Sequence, residues 1–244
     1  MPGGLQVENA TKTFGTVSAL RQCSFTVPGG SVSALIGLNG SGKTTVLRAA
    51  AGMLRLDNGS ITVDGSSVVF AQPGPLSYLA QSKPLHSLLR PPEVVSYAHA
   101  LASGRFDRRL ALDWLARYQV PLDRTVGQLS GGQRTQVALA AAVARAAPAV
   151  ALDEPMADLD PLAREQVADD LRAAAQAGRT ILVSSHAITE LSGWCDHVVV
   201  IDRGHVILQG ASAEIAGGAD LAGVIREAMR AAQRTAQSGA EAQS

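Results

Sequence analysis

The eight residues from Gly37 to Thr44, G-L-N-G-S-G-K-T, constrain this chain more than any other stretch. They satisfy G-x-x-x-x-G-K-[ST], a glycine-rich loop that cradles phosphate. Both flanks have the character such a loop requires. Ser31 to Ile36 is a short apolar run that reads as a strand, and Thr44 to Ala51 reads as a helix. A strand feeding a glycine-rich turn that opens a helix points successive backbone N–H groups into one concavity. The positive end of the helix points there too. Gly37, Gly40 and Gly42 permit the backbone angles and the close approach to a ligand. In that geometry Lys43 reaches the β- and γ-phosphates of a nucleotide, and the Thr44 hydroxyl ligates Mg²⁺. A glycine-rich turn that binds nothing would need neither flank.

Bulk properties narrow the class. A chain of 244 residues, 46% of them hydrophobic, suits one α/β domain with a subdomain. Its formal net charge is zero, which gives no electrostatic case for nucleic acid or for an anionic membrane surface. Cys23 and Cys195 form no Cys-x-x-Cys pair, so neither a disulfide framework nor a zinc site is expected, and a reducing cytosol suits the two thiols. The start, M-P-G-G-L-Q-V-E, has no basic-then-apolar leader. No apolar run approaches the roughly 18 residues of a membrane span. The chain is therefore expected to be soluble, with the option of docking on a membrane protein.

Read in order, Leu5–Asn9 and Ser24–Val27 are expected strands, the second followed by the turn Pro28-Gly29-Gly30. Ile61–Val63 and Val68–Phe70 are expected to form a hairpin about Asp64-Gly65. These suggest an antiparallel layer beside the phosphate-binding core. Leu76 to Gln81 is a further short strand. From Pro92 to Val126 the apolar spacing turns helical, with Asp107 an N-cap. A second helix follows Leu129-Ser130-Gly131-Gly132-Gln133 and is expected to run to Ala147, before Pro148. The region from about 82 to 147 thus reads as a small helical subdomain inserted into the core. Ala149–Leu152 and Thr180–Ser184 are buried-strand runs, with an Ala-rich helix from Pro161 to Ala177 between them. Val198–Ile201 and Val206–Leu208 flank the turn Arg203-Gly204. A last helix is expected from Asp220 to Ala232, then a polar, fraying tail. Residues 1–218 would form one domain and 219–244 a C-terminal appendage.

Several polar residues fall at ends of these strands. Asp153 and Glu154 follow the apolar run Ala149–Leu152. An acidic residue at a strand tip beside a P-loop suits Mg²⁺, and the neighbouring Glu154 is placed to orient or deprotonate an attacking water. Without the P-loop, a helix cap would be the better reading of that pair. His186 also ends a core strand, where a γ-phosphate contact competes with a purely structural role. Gln81 at its strand end is either a site residue or a solvated amide. Ser130, Gly131 and Gly132 repeat the P-loop logic of small residues and exposed N–H groups at a helix start. The chain's own P-loop already holds one set of phosphates. This second anion site therefore calls for a second nucleotide, which a symmetric pair of copies supplies.

Together these stretches resemble an ATP-binding subunit of ABC transporters, over about Leu5 to Gly210. G-L-N-G-S-G-K-T-T, through Asn39, Ser41 and Thr45, resembles the Walker A motif. A-V-A-L-D-E-P resembles Walker B, and L-S-G-G-Q the family signature that ends in Gln133. Gln81 in Y-L-A-Q matches the Q-loop, Ala157-Asp158-Leu159-Asp160 the D-loop, and His186 in S-S-H the switch histidine. Phe14 stands where the family stacks an aromatic on adenine. The resemblance implies a P-loop NTPase core with an antiparallel β layer and an inserted helical subdomain. It implies ATP and Mg²⁺, the metal held by Thr44, Gln81 and Asp153. It implies catalysis by Glu154, His186, Lys43 and Gln81, with Asp160 linking two sites across a dimer. It also implies a homodimer or heterodimer on a separate transmembrane permease, at the inner face of the cell membrane, with Ser82–Glu93 in the docking groove. Two departures stand out. Gln136 replaces a frequent arginine, which would loosen a helix contact. Asp158 replaces a small residue, which would add charge near the dimer seam.

Rival readings are a soluble ABC ATPase of DNA repair or translation, and a module that holds ATP without hydrolysing it. The first lacks its coiled-coil insertion or second cassette, and Glu154 and His186 argue against the second. The phrasing of Y-L-A-Q-S-K-P-L and L-D-P-L-A-R-E resembles bacterial two-component exporters, so export is the expected direction and import the alternative. The cargo is not encoded here, because cargo meets the membrane subunit.

Overall fold

The computed structural model describes residues 3–102, 105–191 and 193–241, with 236–241 as backbone. Its strands are β1 (Gly4–Phe14), β2 (Val17–Pro28), β3 (Val32–Ile36), β4 (Asn58–Val63), β5 (Ser66–Ser67), β6 (Leu76–Leu79), β7 (Ala149–Asp153), β8 (Thr180–Ser185), β9 (His197–Asp202) and β10 (His205–Ala211). Its helices are α1 (Lys43–Ala50), α2 (Pro91–Leu101), α3 (Arg108–Arg117), α4 (Gly131–Ala144), α5 (Pro161–Gln176), α6 (Ile188–Leu191), α7 (Ser212–Ala216) and α8 (Leu221–Glu241), with a 3-10 turn at Val126–Gln128. Among the described residues no helix is long and apolar enough to cross a membrane.

Two sheets organise the chain. The six-stranded sheet has the order β10-β9-β3-β8-β7-β6. The strands β9, β3, β8, β7 and β6 run parallel, and β10 closes the edge antiparallel. Every residue of β3, β7 and β8 is buried. Their apolar residues, at 32, 34–36, 149–152 and 181–183, suit parallel strands covered on both faces. The four-stranded sheet, β2-β1-β4-β5, is antiparallel throughout. Along β2 buried and exposed residues alternate over much of the strand, because one face packs inward and the other meets water. Helix α1 lies between the two sheets, its Val46, Leu47 and Ala49 joining Leu35, Val7 and Phe25 in one core. The opposite face of the parallel sheet packs on α4, α5 and α8 through Leu139, Leu171 and Ile225. The fold is thus the expected α/β P-loop architecture with an antiparallel layer and added helices.

Several elements depart from the expected bounds. β1 and β2 form one long hairpin rather than two short strands, since Phe14 pairs with Val17 and extends the ladder through Thr11–Phe14. The second strand of the Asp64-Gly65 hairpin is Ser66–Ser67, not Val68–Phe70. Val68 N–H still reaches Ile61 O at 2.9 Å, but Ala71 N–H turns to Gly52 O and ends the ladder. Helix α4 stops at Ala144 rather than Ala147. Arg145 turns extended to pair with Phe106, and Arg179 donates to the carbonyls of Val143, Arg145 and Ala147. These bonds satisfy carbonyls at the frayed end that no further helical turn serves. Helix α8 continues to Glu241, beyond the expected end at Ala232, through a stretch in which the good helix formers Gln, Arg, Ala and Glu outnumber Thr235, Ser238 and Gly239. Residues 242–244 of the expected tail lie outside the described residues.

Candidate functional site

All parallel strands deliver their C-terminal ends to one edge of the sheet, which is where ligands bind in open α/β folds. β3 brings the Gly37–Gly42 loop, β7 brings Asp153 and Glu154, β8 brings His186, and β6 brings Gln81. Two glycines of the loop are required for different reasons. Gly42 caps α1 at φ 110°, a conformation that a side chain opposes. At Gly37 a Cβ would lie 2.4 Å from Ile201 O, so the neighbouring strand leaves no room for one.

Lys43 is 6% exposed and folds back over its own loop, donating to Gly37 O at 2.7 Å and Leu38 O at 3.2 Å. Its Nζ lies 3.7 Å from Glu154 Oε1. Burial pushes the Lys43 ammonium below the ordinary lysine range, and the carboxylates of Glu154 and Asp153 pull it back in part. Glu154 is 5% exposed and sits at φ 51°, in the left-handed region. Its N–H donates to Ser184 Oγ at 3.0 Å, and its Oε2 lies 3.0 Å from His186 Nδ1. The half-exposed His186 thus faces both solvent and the buried carboxylate.

Asp153 is fully buried and holds three hydroxyls. Thr44 Oγ1 donates to its Oδ2 at 2.8 Å, Tyr78 OH to the same oxygen at 3.2 Å, and Ser184 Oγ to its Oδ1 at 2.7 Å. Burial beside this carboxylate pushes the Tyr78 phenol up to about 12. The Asp153–Glu154 pair is therefore no helix cap: Asp160 caps α5, accepting from Ala163 N–H at 2.9 Å. A cavity of about 220 Å³ opens beside Thr44 and Asp153, lined also by Arg48, Tyr78, Gln81 and Ser82. A hydroxyl, a carboxylate and an amide around one small space form a hard-oxygen donor set. That set suits Mg²⁺, which takes one or two carboxylates together with substrate phosphates.

The Ser130–Gln133 turn stands elsewhere. Ser130 caps α4, its Oγ accepting from Gln133 N–H at 3.2 Å, while Gln133 Oε1 accepts from Ser130 N–H at 3.0 Å. Gly131 and Gly132 lie against the Asp158 segment rather than against Gly37–Thr44. Phe14 is 49% exposed at the end of β1, with Lys12 Nζ 5.5 Å from its ring centre. Asp57 holds that strand end, accepting from Lys12 Nζ and from Thr13 N–H at 2.7 Å each. Of the two departures, Gln136 is buried on α4, and Asp158 pairs with Lys83.

The family described as ABC transporter matches residues 20–157, a stretch that holds the P-loop, the Ser130–Gln133 turn and the Asp153–Glu154 pair. The chain belongs to the ABC transporter family. As an ABC protein it matches ATP-binding subunits of transport systems. It is 31% identical over 226 residues to the manganese transport system ATP-binding protein of Synechocystis, covering 86% of this chain and 85% of that one. It is 33% identical to the daunorubicin resistance ATP-binding protein of Streptomyces coeruleorubidus (92% of this chain, 74% of that one). It is also 33% identical to a sulfate/thiosulfate import ATP-binding protein of Chromobacterium violaceum, spanning 62% of that protein's length. A solved ATP-binding subunit of an ABC transporter superposes with a TM-score of 0.80 at 26% identity, covering 92% of this chain and 99% of that one.

Within this ABC fold, sequence reasoning brought forward Lys43, Thr44, Asp153, Glu154, Gln81 and His186, which converge on one edge. It passed over Tyr78 and Ser184, the two other hydroxyls on Asp153. Their signal was available, since Tyr78 pairs with Ala151 and Ser184 with Asp153 in the parallel register. It could be used only once the strand order was known.

Proposed function

We propose that this chain is the ATP-hydrolysing subunit of a membrane ABC transporter and that it works as a pair, each P-loop completed by the Ser130–Gln133 turn of the other copy. The observation that carries the reading is the convergence of buried Lys43 and Glu154, 3.7 Å apart, beside a Thr44–Asp153 bond of 2.8 Å. An ammonium, a hydroxyl and two carboxylates at a helix N-terminus is the equipment phosphoryl transfer needs: charge stabilisation and an aligned water.

Each side chain has a role in this reading. Lys43 swings from the Gly37 and Leu38 carbonyls to the phosphate oxygens, which with the loop N–H groups of Asn39, Gly40, Ser41 and Gly42 supply the cradle. Thr44, Asp153 and Gln81 would hold Mg²⁺, and Thr45 follows Thr44 on α1. The metal would neutralise charge on the phosphates. Glu154 orients the water and accepts its proton, and His186 holds the Glu154 carboxylate and faces the γ-phosphate. Phe14 offers an open ring face to adenine. Ser130, Gly131, Gly132 and Gln133 present N–H groups to the partner's nucleotide, and Asp160 stands near that seam.

We read residues 1–218 as the ATPase domain, with the helical part at about 82–147 inserted, and 219–244 as a C-terminal segment. Leu221, Ile225 and Met229 anchor that segment to the main core. The transmembrane subunit is a separate chain that docks near Ser82–Glu93, and this subunit sits on the inner face of the membrane through it. Export is our directional reading and rests on sequence phrasing; relatives named for drug resistance and for import match at the same 33%. Glu154→Gln tests the central claim. With saturating ATP it gives an ATP-bound dimer by light scattering and turnover reduced by about 10²–10⁴-fold. A variant that stays monomeric would show the paired reading to be wrong.

A further inference from the structure

Three segments meet at Asp158. Its Oδ2 lies 2.5 Å from Lys83 Nζ and accepts from Thr135 Oγ1 at 3.4 Å. The Lys83 ammonium holds the Asp158 carboxyl below the usual carboxylate range, with Thr135 and Arg134 adding to the effect. Lys83 is 9% exposed, whereas Asp158 is 51% exposed. A lysine that is nearly buried needs a fixed partner, and here the partner reaches it from the solvent side. Lys83 also sits at φ 44°, which a residue with a Cβ holds only where its surroundings compensate.

The location of the pair gives it meaning. Lys83 follows Gln81 by two residues, in a turn closed by Lys83 N–H on Ala80 O at 2.9 Å. Asp158 precedes Asp160 by two residues, and its carbonyl would lie 3.0 Å from a Cβ on Gly132. Thr135 belongs to the first turns of α4. The cavity-lining loop, the serine–glycine turn and the segment leading to α5 are therefore joined at one carboxylate.

We propose that the Lys83–Asp158 ion pair is a brace that makes the Gln81 loop, the Ser130–Gln133 turn and residues 156–160 shift together, and that both are positioning residues for ATP hydrolysis. The second half rests on the ATPase reading above. Neither side chain acts on phosphate or water: Lys83 acts through Gln81, and Asp158 through Ser130 and Asp160. A pair half open to solvent is screened by salt, so turnover itself becomes sensitive to ionic strength.

Hydrogen exchange on the nucleotide-free chain tests the brace by itself. Asp158→Ala raises exchange several-fold in residues 80–85, and Lys83→Met does so in 156–160, across the space each residue bridged. The swap K83D/D158K returns both segments toward the wild-type pattern. If each variant loosens only its own loop, the brace does not exist, whatever the chain does with ATP. Steady-state hydrolysis tests the positioning role. Each single change lowers kcat by about fivefold with KM within about twofold, and the swap recovers most of the loss. Raising NaCl from about 50 to 500 mM slows the wild type and leaves the single variants unaffected. Unchanged kcat in both single variants would overturn the positioning role. If Asp158→Ala does not fold, Asp158→Asn carries both measurements, since it keeps the shape and removes the charge. A wild-type chain without any hydrolysis would refute the ATPase reading, and the exchange result would still decide the brace.

Discussion

His186 Nδ1 and Glu154 Oε2 stand 3.0 Å apart, and Lys43 Nζ approaches the other carboxylate oxygen of Glu154 at 3.7 Å. One carboxylate is thus held from two sides by groups carried on different elements, Lys43 at the start of α1 and His186 just after β8, while its backbone is kept at φ 51°. A residue fixed in that region implies surroundings that over-determine its position. We expect His186→Ala to lower kcat by roughly ten- to a hundredfold and to change the Kd for ATP by less than about threefold. Turnover assays beside calorimetry check this. Equal losses in binding and turnover would mean that His186 serves binding rather than the carboxylate.

Lys43 illustrates function held against stability. Its folded-state pKa lies below the unfolded value, chiefly because burial disfavours the charge. The folded state therefore binds the proton less tightly than the unfolded chain does. The resulting penalty is present at neutral pH and is relieved as pH rises through the lowered value toward the ordinary lysine range. Lys43→Met should raise the Tm of the nucleotide-free protein by about 2–4 °C. The same change should remove ATP binding by calorimetry. A lower Tm would mean that the bonds to Gly37 and Leu38 outweigh the burial penalty.

The paired reading predicts complementation. Lys43→Ala disables one wall of each site and Ser130→Glu the other, so each variant alone forms only defective sites. Mixed, they form a pair in which one site has both walls intact. Hydrolysis by the mixture should clearly exceed the sum of the two variants measured separately. A purely additive rate would argue that each chain acts alone.

Tyr118 ties the helical region to the core. Its hydroxyl donates to Asp170 Oδ2 at 2.6 Å, and Arg117 pairs with the same carboxylate from the end of α3. Tyr118→Phe leaves a mostly buried acceptor short of one donor, at a cost of about 1 kcal/mol or a Tm lowered by about 2–4 °C. Thermal denaturation followed by circular dichroism checks it.

Much of the fold was legible because its signals are local. The apolar runs of β3, β7 and β8, Pro161 at the head of α5 and Asp107 before α3 each state their role within a few residues. The misjudged bounds have non-local causes. Nothing near Thr11–Phe14 announces a strand; it is one because Val17–Leu20 folds back beside it. Ala146 and Ala147 look helical, yet Arg105 and Arg179 draw the chain away after Ala144. Asp158 could be recognised as an added charge, but its partner Lys83 lies 75 residues earlier and has no sequence signature of its own.

The sequence by itself determined that Gly37–Thr44 forms a glycine-rich turn opening a helix, because that pattern is met by glycines and a lysine at fixed offsets within eight residues. It likewise determined that Ser130 starts a helix, since the cap and its reciprocal Gln133 lie three residues apart. Only the tertiary structure decided that Thr44 meets Asp153, 109 residues away. It also decided that Glu154 faces Lys43 and that the serine–glycine turn lies against Asp158 rather than the P-loop. Those contacts depend on the order β3-β8-β7 and on how the helices cover it. Strand order is set by the packing of whole faces, and no short stretch of residues contains it.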